Sequence, residues 1–237
     1  EICLDYPWPD TLSEDEILAA KKTLADMRID VAFHGPLGGV LLFHPRREMV
    51  HAAIRIHKKC LNFAANLNPL YYNFHVKTHP LELRIKGNRD VALQNCLNGM
   101  DELIRLAGEL HVKLVVENST STGYLVPFGD LLSRKLDFNL DIGHWFAGRG
   151  GYERLEKLVG LLEGRIALLH LHDCKIQDAG VEDHKPIGQG DINFNQVFKM
   201  LKNGGIRWIA LEIMSNETRL VKQNLSKGKE FSRALSL

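Results

Sequence analysis

The chain lacks any long apolar stretch. Its apolar runs are all short, whereas a membrane-crossing helix needs about 20 consecutive apolar residues, so no transmembrane span is expected. The first residues, from Glu1 onward, show no basic-then-apolar leader pattern, although the sequence does not start with Met. An excess of charge of one sign is also missing: 30 basic residues face 29 acidic ones, a formal net charge of +1. That balance argues against a dedicated nucleic-acid binder, whose domain is usually distinctly basic. Cysteine is sparse, with Cys3, Cys60, Cys96 and Cys174 widely separated and no CxxC pair. This pattern excludes a disulfide framework and a Cys-rich zinc site, and it fits reduced thiols in a cytoplasmic protein. No repeat, linker or low-complexity segment interrupts the sequence, so residues 1–237 are expected to form a single domain.

Short apolar runs alternate with longer stretches of helical period. The expected strands are Glu1–Asp5, Asp30–His34, Leu70–His75, Lys113–Glu117, Asp137–Asp141, Ile166–His172 and Trp208–Glu212. Amphipathic segments lie between them at Glu14–Met27, Arg47–Asn66, Val91–Leu110, Phe128–Arg134, Tyr152–Leu162 and Phe194–Lys202, and Glu217–Leu235 completes the series. Ser13, Asn88 and Asn193 or Asn195 offer side-chain oxygens where helices should begin. Strict alternation of this kind implies right-handed crossovers and a parallel sheet covered by helices. No Gly-rich phosphate fingerprint follows an early strand, which favours a closed barrel over an open dinucleotide-binding sheet. Seven strands are visible where a (β/α)8 TIM barrel has eight. The expected fold is therefore an α/β TIM barrel lacking the first βα unit in this chain.

Histidine is abundant, with 11 in the sequence, and its placement is uneven. Six apolar strands carry His34, His75, Glu117, Asp141, His170 with His172, and Glu212 at their ends, with His144 and Asp173 just beyond. The C-terminal face of a barrel carries its active site, so these side chains should converge. Carboxylates brought together out of water repel one another unless a cation neutralises them. Carboxylate oxygen with imidazole nitrogen suits Zn²⁺ or Mn²⁺, with Co²⁺ or Mg²⁺ as further options. Taken singly, each residue has a plainer reading as a hydrogen-bonded rim residue, a helix cap or half of an ion pair; the common register points to one cause. The segment Asp173–Asn193 reads as a long loop at the same mouth, within reach of the pocket through His184.

These strings resemble the xylose-isomerase-like TIM barrel superfamily, which joins sugar isomerases and epimerases with the type IV apurinic endonucleases (AP endonuclease family 2). The resemblance is carried by His34-Gly35-Pro36, Glu117-Asn118-Ser119, Leu140-Asp141-Ile142-Gly143-His144, His170-Leu171-His172-Asp173, the run from His184 to Ile192, and Leu211-Glu212-Ile213. It implies a metal site of Glu117, Asp141, His170 and Glu212, with His172 competing for the third place. In the endonuclease branch it implies additional metal ligands at His34, His75, His144, Glu182 and His184, although Glu182 stands where that branch has Asp. The loop after His34, Gly35-Pro36-Leu37-Gly38-Gly39, lacks the duplex-wedging aromatic of that branch.

The first expected activity is metal-dependent isomerisation or epimerisation of a sugar or sugar phosphate through an enediolate. In that reading Glu117 and Glu212 move the proton, His34 and His144 bind hydroxyls, and Lys175, Lys185 or Arg149 hold a phosphate. Trp145 and Phe146 either wall the substrate site or meet a second subunit of a homo-oligomer. The alternative is zinc-dependent hydrolysis of phosphodiesters at abasic DNA, with nucleic acid as partner. A third reading is a barrel that binds metal or sugar without turnover.

Overall fold

The computed structural model describes residues 1–5, 9–78, 81–119, 129–177, 180–201, 205–214 and 218–235. Phe128, Lys202 and Glu217, which bound helices expected above, lie outside them, as do His79 and Asp178. The chain forms two compact units, Glu1–Val116 with Ser133–Leu136, and Glu117–Leu132 with Asp137–Leu237.

The first unit runs β1 (Ile2–Cys3), α1 (Glu14–Met27), β2 (Phe33–His34), α2 (Arg47–Ala65), β3 (Tyr72–His75), a 3-10 turn at Glu82–Arg84, α3 (Asn88–Glu109), and then into β4 (Leu114–Glu117). β1 pairs parallel with β2, Cys3 opposite His34, and β2 pairs parallel with β3, His34 opposite Asn73. The strands are shorter than expected because the ladders are brief, but the bonding continues past their ends. The Leu4 amide donates to the His34 carbonyl at 2.9 Å, and the Tyr72 amide donates to the Lys113 carbonyl at 2.8 Å. Phe33, Tyr72, Phe74 and Val115 are buried, as befits strands covered on both faces.

Ser13 starts α1 as expected. Its hydroxyl accepts from the Glu16 amide at 3.3 Å, while its own amide donates to the Glu16 carboxylate at 2.7 Å, a capping box that satisfies donors the helix cannot. α1 buries none of its side chains, so its boundaries follow from the cap and not from an apolar stripe. At α3 the expected cap moves: Gly87, in the left-handed region at φ 85°, takes the N-cap position, and the Asn88 amide group donates to the Glu82 carbonyl at 2.9 Å.

The second unit runs β5 (Asp137–Asp141), α4 (Ile142–Ala147), α5 (Tyr152–Leu161), β6 (Ile166–Leu171), β7 (Asp173–Gln177), β8 (Gly180–Lys185), α6 (Phe194–Leu201), β9 (Trp208–Leu211) and α7 (Thr218–Ala234). β5, β6 and β9 are parallel neighbours, with Asp141 opposite His170 and Leu171 opposite Leu211. Every residue of β6 is buried. Asn193 caps α6 through its side-chain oxygen, 3.2 Å from the Gln196 amide. Phe198 of α6 packs on Phe231 of α7 with ring centroids 4.2 Å apart.

Two features differ from the sequence reading. The residues after Asp141 coil into the short helix α4. Much of the segment read as a long loop is a hairpin, β7 paired antiparallel with β8. Beyond Asp173 and Cys174 its side chains are exposed or half-exposed and mostly polar, so no apolar alternation marks it. No helix among the described residues is long and apolar enough to cross a membrane.

In the first unit α2 and α3 approach closely at Gly99, where an added Cβ would stand 2.7 Å from Ile54 Cδ1 and 3.3 Å from Val50 Cγ1. Overpacking a filled interior costs about 1–3 kcal/mol. Gly99→Val is expected to lower the unfolding free energy by that amount, read from the urea midpoint.

Candidate metal centre

The register of the second unit brings acids and imidazoles together. Glu117 is the last residue of β4, Asp141 the last of β5, His170 lies near the end of β6, and Glu212 follows β9 directly. Glu117 is 2% exposed, and Asp141 and His170 are fully buried. His170 Nδ1 lies 3.3 Å from Glu117 Oε1, 3.2 Å from Glu212 Oε1 and 3.9 Å from Asp141 Oδ2. His144 Nδ1 lies 3.1 Å from Asp141 Oδ2 and 3.7 Å from Glu117 Oε1. Ligand atoms of Glu117, Asp141, His144 and Glu212 all fall within 4.8 Å of one another, as do those of His144, His172, His184 and Glu212. Asp141 Oδ2 and Glu212 Oε2 are buried without a hydrogen-bond partner. Three carboxylates this close, with two bare oxygens, fit a divalent cation with mixed oxygen and nitrogen ligands.

Two residues to which the sequence reading gave no role hold the frame. Asn118 donates from its side chain to the Asp141 carbonyl at 2.9 Å and accepts from the Asp141 amide at 2.8 Å. This two-point clamp sets the end of β5, and the place of Asn118 in the Glu117-Asn118-Ser119 string is its sequence signal. Asp173, fully buried, is a staple for the segment after the hairpin. Its Oδ1 accepts from the Cys174 and Ile192 amides at 2.9 and 3.2 Å, and its Oδ2 from the Gly188 amide at 2.8 Å. Burial, reinforced by the negative charge of Asp173, pushes the neighbouring Cys174 thiol up to about 12.

The other expected site residues are distributed as follows. His144, on α4, and His184, on β8, flank the cluster, with ring centroids 5.2 Å apart. His172 stacks against His184 at 4.2 Å. Glu182 stays apart from the cluster: it is exposed, its carboxylate held by Lys185 at 2.6 Å and Gln177 at 2.7 Å. Strand alternation would put Glu182 and His184 on one face, but a register shift in the hairpin and a left-handed His184, φ 52°, turn the histidine inward alone. Lys175 is exposed on β7, with Glu182 as its cross-strand partner. Trp145 is buried, and its indole N–H donates to the Gly151 carbonyl at 2.9 Å, so its polar edge is committed to a local loop. His34 and His75 are buried side by side in the first unit, ring centroids 5.2 Å apart.

Electrostatics favour charged partners here. Burial opposes a proton on His144, but Asp141 and Glu117 outweigh it and raise its pKa to about 9. Burial likewise opposes the Glu212 carboxylate, yet His170 holds it well below the usual range. His172 is pulled both ways: burial lowers its pKa, and Asp141 raises it further than that. Against the doubly protonated ring, however, stands the His184 amide, which donates to His172 Nδ1 at 2.8 Å. Two N–H groups cannot face each other at that distance, so the hydrogen bond decides for a neutral ring.

A parallel β/α fold with an acidic, histidine-lined cluster at its strand ends is the class that this geometry defines. The model of the xylose isomerase-like TIM barrel family matches residues 2–234, and the chain belongs to that family. It is 27% identical over 167 residues to the uncharacterized protein MJ1614 of Methanocaldococcus jannaschii, covering 67% of this chain and 63% of that protein's length. Among solved structures, a D-tagatose 3-epimerase-like protein superimposes with a TM-score of 0.78 at 18% identity, over 99% of this chain and 88% of the other. The IOLI protein with a bound zinc atom superimposes with a TM-score of 0.70 at 17% identity, over 100% and 87%. The TIM-barrel fold class expected from the strand–helix alternation is thereby shown; the described residues carry seven of its strands, β1–β6 and β9.

Two outcomes are expected. The raised pKa of His144 stabilises the metal-free fold fully below its ordinary value near 6.5, and that contribution disappears as pH climbs through about 9. The melting temperature of metal-free protein should therefore fall across this window, and saturating Zn²⁺ should flatten the fall. Asp173→Asn replaces an acceptor with a donor and leaves a buried amide without a partner, at a cost of about 1–3 kcal/mol. Hydrogen exchange at Gly188 and Ile192 should accelerate in that variant.

Proposed function

We propose that this protein is a divalent-metal-dependent isomerase or epimerase of a sugar or sugar phosphate. The observation that carries the reading is the convergence of Glu117, Asp141 and Glu212 on the His170 ring within hydrogen-bonding or ion-pair distance. Glu117, Asp141, His170 and Glu212 would hold the ion, with His144 beside them. When bound, the ion polarises a substrate carbonyl and its neighbouring hydroxyl, favouring an enediolate. Glu117 closes β4 and Glu212 follows β9, so their carboxylates enter the cluster from separate strand ends; one would take a proton from the carbon next to the carbonyl and the other return it. Proton transfer by positioned groups contributes about 10²–10⁴-fold. His144 is placed to hold a hydroxyl. Arg149, which lines a cleft of about 330 Å³ with Phe146, Tyr152 and Ile176, is the cation we assign to a substrate phosphate.

Support comes from the family and from the names of its structural relatives, a D-tagatose 3-epimerase-like protein and a zinc-bound IOLI protein. The endonuclease reading asks more ligands of the chain, and the engagement of Glu182 with Lys185 and Gln177 counts against it. A soluble, small-molecule enzyme also suits the balanced charge, with the cytoplasm as its proposed compartment.

The test is solvent deuterium exchange at the carbon next to the carbonyl across a panel of ketoses and ketose phosphates. Exchange should require Mn²⁺, Zn²⁺ or Co²⁺, stop on chelation, and fall at least 100-fold in Glu212→Gln with circular dichroism unchanged. Nicking of an abasic duplex, with no exchange on any sugar, would overturn the proposal in favour of the endonuclease.

A further inference from the structure

We infer that the loop 148–151 is built to present the Arg149 guanidinium to a phosphate, with Arg154 as its positioning residue, and that the substrate is a phosphorylated sugar. This deepens the reading above and rests on it. At the end of α4 the Arg149 amide donates to the Phe146 carbonyl at 2.8 Å and the Gly150 amide to the Trp145 carbonyl at 2.9 Å. These two bonds make a Schellman turn, in which the residue just past the cap is left-handed and usually glycine. Here that residue is Arg149, φ 57°, although glycines stand at 148, 150 and 151. An arginine there carries a conformational cost that glycine would not. Arg28 and His111 are left-handed too, but Arg149 is also gripped from outside the turn. Arg154 Nε donates to the Gly150 carbonyl at 2.7 Å and its Nη2 to the Arg149 carbonyl at 2.5 Å, a planar fork that fixes two carbonyls at once. The Trp145 indole N–H holds the Gly151 carbonyl at 2.9 Å, and a Cβ on Gly150 would run into the Trp145 ring.

The backbone of Arg149 is thus set by its neighbours, and the side chain is left for another task. Among the described residues its guanidinium makes no ion pair. It lines the cleft of about 330 Å³ together with Phe146, Tyr152, Ile176, Asp191 and Ile192. Asp191, the acid of the cleft, commits its Oδ2 to the Ile176 amide at 2.9 Å. Beside aromatic and aliphatic walls an ion pair is screened less than in open water, and a guanidinium matches a phosphate with two parallel donors. The cleft also lies in line with the metal cluster. Arg149 follows His144 by five residues, about 8 Å at helical rise, and Ile176 lies on β7, the strand that begins one residue after His172. That offset suits an anion carried a short carbon chain away from the reacting carbonyl, which is where the ester of a sugar phosphate stands.

The experiment titrates inorganic phosphate into the metal-free full chain, following the Arg149 Nε–H and Gly150 amide resonances. It also measures deuterium exchange on ketoses and ketose phosphates with the Mn²⁺-loaded protein. Both resonances should shift saturably in the wild type. Arg149→Gly should abolish the Gly150 shift and lower the kcat/KM preference for a ketose phosphate over its parent ketose about 10–100-fold, the worth of one hydrogen bond to a charged group. It should melt no lower than wild type, because glycine adopts the turn freely; a lower melting temperature would mean that the arginine holds the loop together and would count against the inference. Arg154→Ala should weaken phosphate binding about fivefold and raise KM for ketose phosphates at unchanged kcat. Arg154→Lys, which can hold one carbonyl, should recover part of that loss. An unchanged preference and titration in Arg149→Gly would overturn the inference and leave the isomerase reading standing. Exchange on no ketose, with phosphate still bound through Arg149, would remove that reading and keep the anion site. Should Arg154→Ala fail to fold, Arg149→Gly still decides.

Discussion

Mutual repulsion among buried carboxylates is the constraint to which the second unit answers. Glu117 and Asp141 sit away from water with the half-buried Glu212 beside them, where charge is costly and attraction to a cation correspondingly strong. The metal-free protein meets that cost with protons: His144 and His170 lie against the acids and stabilise their charge. A divalent ion held by the same residues would offset that cost in place of the protons, so ion binding would be coupled to proton release.

Around that charge cluster the backbone is fixed by hydrogen bonds, not by apolar packing alone. Asn118 grips both backbone groups of Asp141, Asp141 caps α4, and Asp173 gathers the Cys174 amide and two amides from the segment beyond the hairpin. Each acceptor serves amides that a buried strand end or tight turn would otherwise leave unmatched. The site is therefore held from its rim as well as from its strands.

The strand–helix alternation was legible because each buried parallel strand is a short apolar run, and Asp137–Asp141 and Glu14–Met27 appear with the expected boundaries. The site was legible in part for the same reason: a polar residue closing an apolar strand stands out, as Glu117, Asp141, His170 and Glu212 do. The hairpin was hidden because its strands face solvent and carry no apolar period. The outward position of Glu182 was hidden too, since neither the register shift nor the left-handed His184 leaves a mark in the sequence.

Cys174 carries a chemical consequence. It is walled in beside Asp173, and its proton is held far above physiological pH, so it offers almost no thiolate. Reagents that attack a thiolate, peroxide among them, would find almost none at this position.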